Sequence, residues 1–291
     1  MNARTPGLHP DITASQYHAD KLCDRITLSR GLLVTLVDDC PLQAWFEHPR
    51  LGNQIKVEVN KKMDFGSMGH RMILDKGDDI VVCDAENWMT KAAKEFRDTA
   101  RAGGKIPALA KDYTRATQVQ EAFQREIERF GYKSQWDIAR SEVGCLWEDN
   151  GVMCRCMFDR LTINEEAKTA TIFDLKIGAV TNPRELDRHV FNQRYHIQKY
   201  FYVRGLEAVR PDLAGRVEYV ICFLQDDVPF QMVPVKLNGE FNELAFVFVN
   251  RGMETWKKCL ETKTWPGYAD ETVIVAPPGW AMAQSIAGQL R

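Results

Sequence analysis

The chain has 291 residues, 45% hydrophobic and 27% charged, with a formal net charge of −2. That composition belongs to a globular protein able to bury a sizeable core, and it excludes a disordered chain and a globally basic nucleic-acid binder. No apolar run approaches 18 residues and no basic segment leads into an apolar one at the start, so neither a membrane span nor a signal peptide is read, and a cytoplasmic location is expected.

In chain order, residues 1–26 are polar, with turn-forming Pro6, Gly7 and Pro10, and are expected to form a flexible arm; residues 27–291 are expected to form one domain. Thr27 to Trp45 reads as a helix starting at Ser29, with apolar Leu32, Leu33, Leu36 and Val37, then a short helix with Pro41 in its first turn. Leu51 to Phe65 is mixed. Gly66 to Leu74 reads as a helix entered from a glycine loop, with His70 in its first turn. Asn87 to Phe130 is helical, interrupted at Gly103-Gly104 and Pro107. Its basic residues alternate with Glu86, Glu95, Asp98 and Asp112, the pattern of a solvated face.

Periodicity then changes. Gln135–Leu146, Gly151–Leu161 and Ala167–Ile177 read as three successive antiparallel strands, joined by turns at Glu148–Gly151 and Asn164–Ala167. Arg184 to Leu206 reads as one long helix with a basic side that includes Arg188, Arg194 and Lys199. Arg216–Gln225 and Gln231–Leu237 are β-type, and Glu240–Thr262 is an amphipathic helix. The tail from Trp265 is irregular and closes in a short helix. The order implies an α/β protein, a sheet with helices on both sides. Eight cysteines without a C-x-x-C pair read as small buried apolar residues, with Cys154 and Cys156 on one face of a strand.

Chemistry concentrates between Met157 and Lys176. Asp159 is placed at the end of one strand and Asp174-Leu175-Lys176 at the end of the next. Residues i and i+2 of a strand share a face, so Asp174 and Lys176 point together while Leu175 turns to the core. Two carboxylates and an amine on one sheet face suit a hard divalent cation with a proton acceptor beside it. Glu142 stands on the preceding strand, His70 lies upstream, and Gln198-x-x-x-Tyr202 occupies one face of the following helix.

This ordered set resembles the PD-(D/E)xK nuclease superfamily in its RecB-type branch. Over residues 27–210 it is most similar to phage and prophage recombination exonucleases of the RecE (exodeoxyribonuclease VIII) kind. The resemblance implies a restriction-endonuclease-like core over residues 60–225, a central mixed sheet flanked by helices, with extra N-terminal helices and a C-terminal helix and Trp/Pro-rich tail at 240–291. It implies a metal-dependent exonuclease that degrades linear double-stranded DNA 5′ to 3′ and leaves single strands for recombination or repair. Asp159 and Asp174 would hold Mg²⁺ or Mn²⁺, with the Leu175 main-chain carbonyl and His70 as further ligands. Lys176 would orient or deprotonate the attacking water, and Gln198 and Tyr202 would position the site and the DNA backbone. Glu142 would either join the catalytic set or pair with Arg140 or Arg160. Arg188, Arg194 and Lys199 would meet phosphates.

No iron–sulfur cluster is expected, because the iron–sulfur members of the superfamily need one cysteine upstream and three clustered downstream, and beyond the core only Cys259 is there to join Cys40. The partners implied are duplex DNA ends, a single-strand annealing protein and further copies in a ring, in a bacterial cell and of phage or prophage origin. Asp174 stands where glutamate is common, and Cys156-Met-Phe precedes Asp159 where glycine is common. Two rivals stay open: a structure-specific or restriction-type endonuclease, and a non-catalytic DNA-binding phage accessory protein.

Overall fold

Period-two alternation builds the middle of the chain, and helices cover it. The computed structural model describes residues 4–52 and 61–289. The chain opens with β1 (Gly7–His9), α1 (Ala14–His18), the two-residue strand β2 (Leu28–Ser29), α2 (Arg30–Asp38) and α3 (Pro41–Glu47). Helix α4 (Lys61–Leu74) is followed by β3 (Ile80–Cys83), α5 (Lys91–Ala102), β4 (Ile106–Leu109), α6 (Ala110–Arg129) and α7 (Lys133–Ile138). Then come β5 (Arg140–Asp149), β6 (Val152–Asn164) and β7 (Thr169–Ile177), and after them α8 (Leu186–Asn192) and α9 (Tyr195–Val209). Strands β8 (Val217–Leu224) and β9 (Met232–Val235) precede the long α10 (Gly239–Thr262) and the terminal α11 (Gly279–Gln289).

Seven strands form one mixed sheet in the order β1-β5-β6-β7-β8-β9, with β2 joining β6. Strands β5, β6 and β7 are antiparallel neighbours, and β7 runs parallel to β8. Strands β3 and β4 make a separate two-stranded sheet. The turn between β5 and β6 is Asn150-Gly151, both at positive φ, as a two-residue hairpin requires. Alternation sorts side chains to two cores. Ile172, Ile221 and Phe223 join the helices α2, α9 and α10 on one side, while Phe173, Leu175 and Cys222 join α4, α6 and α7 on the other. Cys154 and Cys156 share the first of these faces. A Cβ at Gly205 would fall 2.8 Å from Trp147 Cζ3, so glycine allows α9 to lie close on β5.

Several expectations are corrected. Residues 4–26 are packed rather than loose. Strand β1 pairs with β5, Ile12 and Leu22 are buried, and the Asp20 carboxylate is 0% exposed. Asp20 accepts from Arg155 Nη1 at 2.9 Å and from the Thr27 N–H at 3.3 Å. His48 Nδ1 accepts from the Arg50 N–H, which makes Nε2 the protonated nitrogen, and Nε2 lies 3.3 Å from Asp20 Oδ2. The Arg50 guanidinium donates to the carbonyls of Asp20, Cys23, Asp24 and Arg25. A polar segment is thus held by charge and hydrogen bonds, which an apolar pattern does not announce.

The other corrections are local. Gln135 and Trp136 belong to α7, and β5 begins at Arg140. The segment after Gly104 enters a strand, β4, buried along its length. Residues 53–60, within the stretch read as mixed, lie outside the described residues. Helix α4 is already running at Lys61, so His70 stands well inside it. The long helix from Arg184 is two helices, broken at Arg194, whose φ is +58°. Among the described residues no helix is long and apolar enough to cross a membrane.

Candidate active site

The site forms where β6 and β7 part. Their ladder pairs Arg160 with Phe173 and runs from there toward the Asn164 turn. Beyond that pair the strands fork, and the Leu175 N–H loses its strand partner. The Asp159 carboxylate takes it instead, at 2.7 Å from Leu175 N to Oδ2. Asp159 therefore sits inside β6 at the crotch of the fork, not at the strand's end. Within a strand, N–H and C=O of one residue project to the same side, so the Leu175 carbonyl also faces the fork.

One residue on, β7 presents Asp174 and Lys176 on a common face, as their spacing requires, with Lys176 Nζ 2.8 Å from Asp174 Oδ1. Leu175 turns away and is 1% exposed. From α9, Gln198 Nε2 donates to the same Oδ1 at 2.8 Å. The second oxygen, Asp174 Oδ2, is buried without a hydrogen-bond partner. A buried carboxylate oxygen left bare is costly unless something positive meets it. Burial pushes the Asp174 carboxyl above its ordinary range, and Asp159 adds to this while Lys176 opposes it. Burial alone would depress the Lys176 ammonium, but Asp174 and Asp159 outweigh it and hold the group above the usual lysine range. Lys176 is thus a protonated donor in this arrangement. The Tyr195 ring centroid lies 5.1 Å from its Nζ.

Across the fork, Glu142 interrupts β5. The register pairs Ser141 with Arg160 and Val143 with Phe158 but skips Glu142, whose φ is +50°. A left-handed residue inside a strand is strained and persists only when its surroundings fix it. Lys76 supplies that hold, donating from Nζ to the carbonyls of Pro10, Ser141 and Glu142 at 3.0, 3.0 and 3.1 Å. Burial pushes the Glu142 carboxyl up, against the pull of Lys76, and Asp159 raises it further. His70 reaches the site because Gly69 lets α4 approach β7; any Cβ there would collide with Ile177 Cδ1.

These groups line one cavity of about 630 Å³. It brings together His70, Glu142, Asp159, Asp174, Leu175, Lys176, Gln198 and Tyr202, all singled out in the sequence. It also contains Tyr17, His18, Lys76, Asp78 and Tyr195, which the sequence did not single out. Burial pushes the pKa of the Tyr17 hydroxyl up to about 12.

Arg188, Arg194 and Lys199 do not line this cavity. Arg194 lies outside α9 in a left-handed turn and pairs with Asp38 at 2.9 Å. Lys199, one position round the helix from Gln198, donates to Asn242 Oδ1 at 2.7 Å. Arg188 sits on α8. The three residues therefore lie on two helices and the turn between them rather than along one helix face.

The donor set suits a hard divalent cation. It offers the bare Asp174 oxygen, the Asp159 carboxylate and a main-chain carbonyl, an oxygen-rich group with His70 beside it. Among the described residues no three His, Cys, Asp or Glu side chains close into a cage.

Comparison with known proteins agrees with this fold. A family model described as a PDDEXK-like domain of unknown function (DUF3799) matches residues 37–276. No curated protein matches the chain. Among solved structures, a crystal structure named "putative exonuclease" from Eubacterium rectale is similar with a TM-score of 0.59. The two share 13% identity over 94% of this chain and 98% of that one, a likeness of fold.

Proposed function

Because the chain belongs to the family of PDDEXK-like domains of unknown function (DUF3799), we propose that it is a divalent-metal-dependent DNA nuclease, acting as an exonuclease on the ends of linear duplex DNA. The observation that carries this reading is the buried Asp174 oxygen without a hydrogen-bond partner, on a residue that lines one cavity together with Asp159 and Lys176.

An Mg²⁺ or Mn²⁺ ion held by Asp159, Asp174 and the Leu175 carbonyl, with His70 alongside, would offset charge on the phosphate oxygens and make water nucleophilic near neutral pH. The chain's own groups do the rest. Gln198 and Lys176 fix one Asp174 oxygen and leave the other without a hydrogen-bond partner. Lys176 carries a positive charge and three donors to where a phosphate oxygen gains charge, and so orients water and stabilises the developing anion. Glu142, its carboxyl raised by burial, is placed to accept or return a proton at the opposite wall. The family membership and the neighbour's printed name support a nuclease; the end preference, 5′ to 3′ polarity and recombination role rest on the resemblance to RecE-type enzymes.

The test is digestion of linear and covalently closed duplex DNA in Mg²⁺, Mn²⁺ or EDTA. Loss of linear DNA alone, stopped by EDTA, is the expected result. Cutting of closed circles would replace the exonuclease with an endonuclease, and no hydrolysis in either metal would overturn the enzymatic reading.

Lys76 provides a second expected outcome. Lys76→Met removes the clamp on the Ser141–Glu142 turn, and cleavage should fall about 10²-fold, since displacing a catalytic group by about 1 Å costs that much. Lys76→Arg should recover part of the loss. Unchanged single-turnover rates in Lys76→Met would mean that Glu142 holds its position unaided.

A further inference from the structure

Helix α10 has two apolar faces, and the fold uses only one. Ala245, Val249, Met253 and Trp256 are buried against α2 and α9. On the other side Leu244 is 53% and Val247 66% exposed. They line a groove of about 680 Å³ whose further walls include Val37, Phe191 and Phe248. Glu240 and Glu243 stand at one end of the α10 stripe and Arg251 at the other, with Arg194 on the facing wall. Exposed apolar surface of this kind on a charged protein marks a contact site.

The same chain carries a segment of matching character. The tail is tied down as far as Tyr268. Trp265 packs edge-on against Trp256, the Leu42 N–H donates to the Pro266 carbonyl at 3.0 Å, and the Tyr268 hydroxyl reaches Asp39 at 3.5 Å. Beyond it, Val273, Ile274 and Val275 are 66%, 94% and 85% exposed. Asp270 and Glu271 precede this apolar triplet.

We propose that the two features are halves of one interface, in which residues 270–275 of one copy lie in the α10 groove of a second copy. The register supports this. From Arg251 back to Leu244 the helix rises about 10 Å, and from Glu271 to Ile274 or Val275 an extended chain covers about 10–13 Å. The acidic pair then faces Arg251 while the triplet covers Val247 and Leu244. The strap is released beside its own groove, because Asp39, which holds Tyr268, adjoins Asp38, which holds Arg194 on the groove wall. Its own chain nevertheless leaves the triplet exposed. Donor and acceptor so close together suit a closed two-fold exchange, each strap crossing to the other copy.

The experiment is sedimentation velocity on the full chain, wild type and two variants at exposed positions, Val247→Asp and Ile274→Asp, with circular dichroism to confirm the fold. Wild type should be a dimer. Each variant should dissociate, with the dimer constant weakened at least about 100-fold by a carboxylate forced into an apolar groove. An equimolar mixture of the two should regain dimer, because one intact strap then meets one intact groove. A monomeric wild type overturns the proposal. So does a dimeric Ile274→Asp beside a monomeric Val247→Asp, which would mean groove against groove, and so does a mixture that stays monomeric.

Discussion

Lys176→Ala lowers cleavage of linear duplex DNA about 10³-fold or more and leaves DNA binding largely in place. The magnitude follows from what the ammonium does. Removing one preorganised donor to a developing oxyanion costs about 10²–10³-fold, and removing a proton-transfer group about 10²–10⁴-fold. Lys176 stands to serve in either capacity, 2.8 Å from Asp174 and held charged by two carboxylates. The fold suffers less than the chemistry. Asp174 keeps its bond from Gln198. Lys176→Arg should not restore the rate, because a longer planar guanidinium cannot place a compact charge at the same point. Single-turnover digestion, with fluorescence anisotropy for binding in Ca²⁺, separates the effects. A rate within tenfold of wild type would remove Lys176 from the mechanism.

Asp20→Asn costs about 3–5 kcal/mol of stability at neutral pH, the range found when a buried charge loses its partner. Arg155 is 3% exposed and Asp20 is 0% exposed, so neither has water to fall back on. The pH dependence has a definite sign. Burial pushes the Asp20 carboxyl up, but the hydrogen bond from His48, the Arg155 charge and the Thr27 hydroxyl outweigh it and hold it below its ordinary value. A depressed carboxyl stabilises the fold fully above its unfolded value of about 3.9 and loses that contribution as pH falls through the folded value. Wild type should therefore lose stability below about pH 4 more steeply than Asp20→Asn. Urea unfolding at neutral and acid pH measures both. A difference under about 1 kcal/mol at neutral pH would mean that the cluster contributes no more than an exposed ion pair.

The hairpins and the heart of the site were legible because their signals are local. Asn150-Gly151 and alternating apolar residues define β5 and β6, and the i, i+2 rule alone places Asp174 with Lys176. The arm was not legible, because what holds it is a partner 135 residues away, Arg155 for Asp20. The break at Arg194 carries no glycine or proline to mark it, so two helices read as one. Lys76 escaped notice because it acts on main-chain carbonyls, which leave no trace in a pattern of side chains. Tyr17 and His18 reach the cavity only through the packed arm.

That arm sets an order of events during synthesis. Residues 4–27 leave the ribosome well before Arg155, on which Asp20 closes and which is made 135 residues after it. At about 5–20 residues per second the arm waits on the order of ten seconds before its anchor exists. Until then the aspartate is solvated and the cavity lacks a wall. A nascent chain is therefore without a complete site until β6, β7 and α9 have been made and residues 4–27 have folded back onto them.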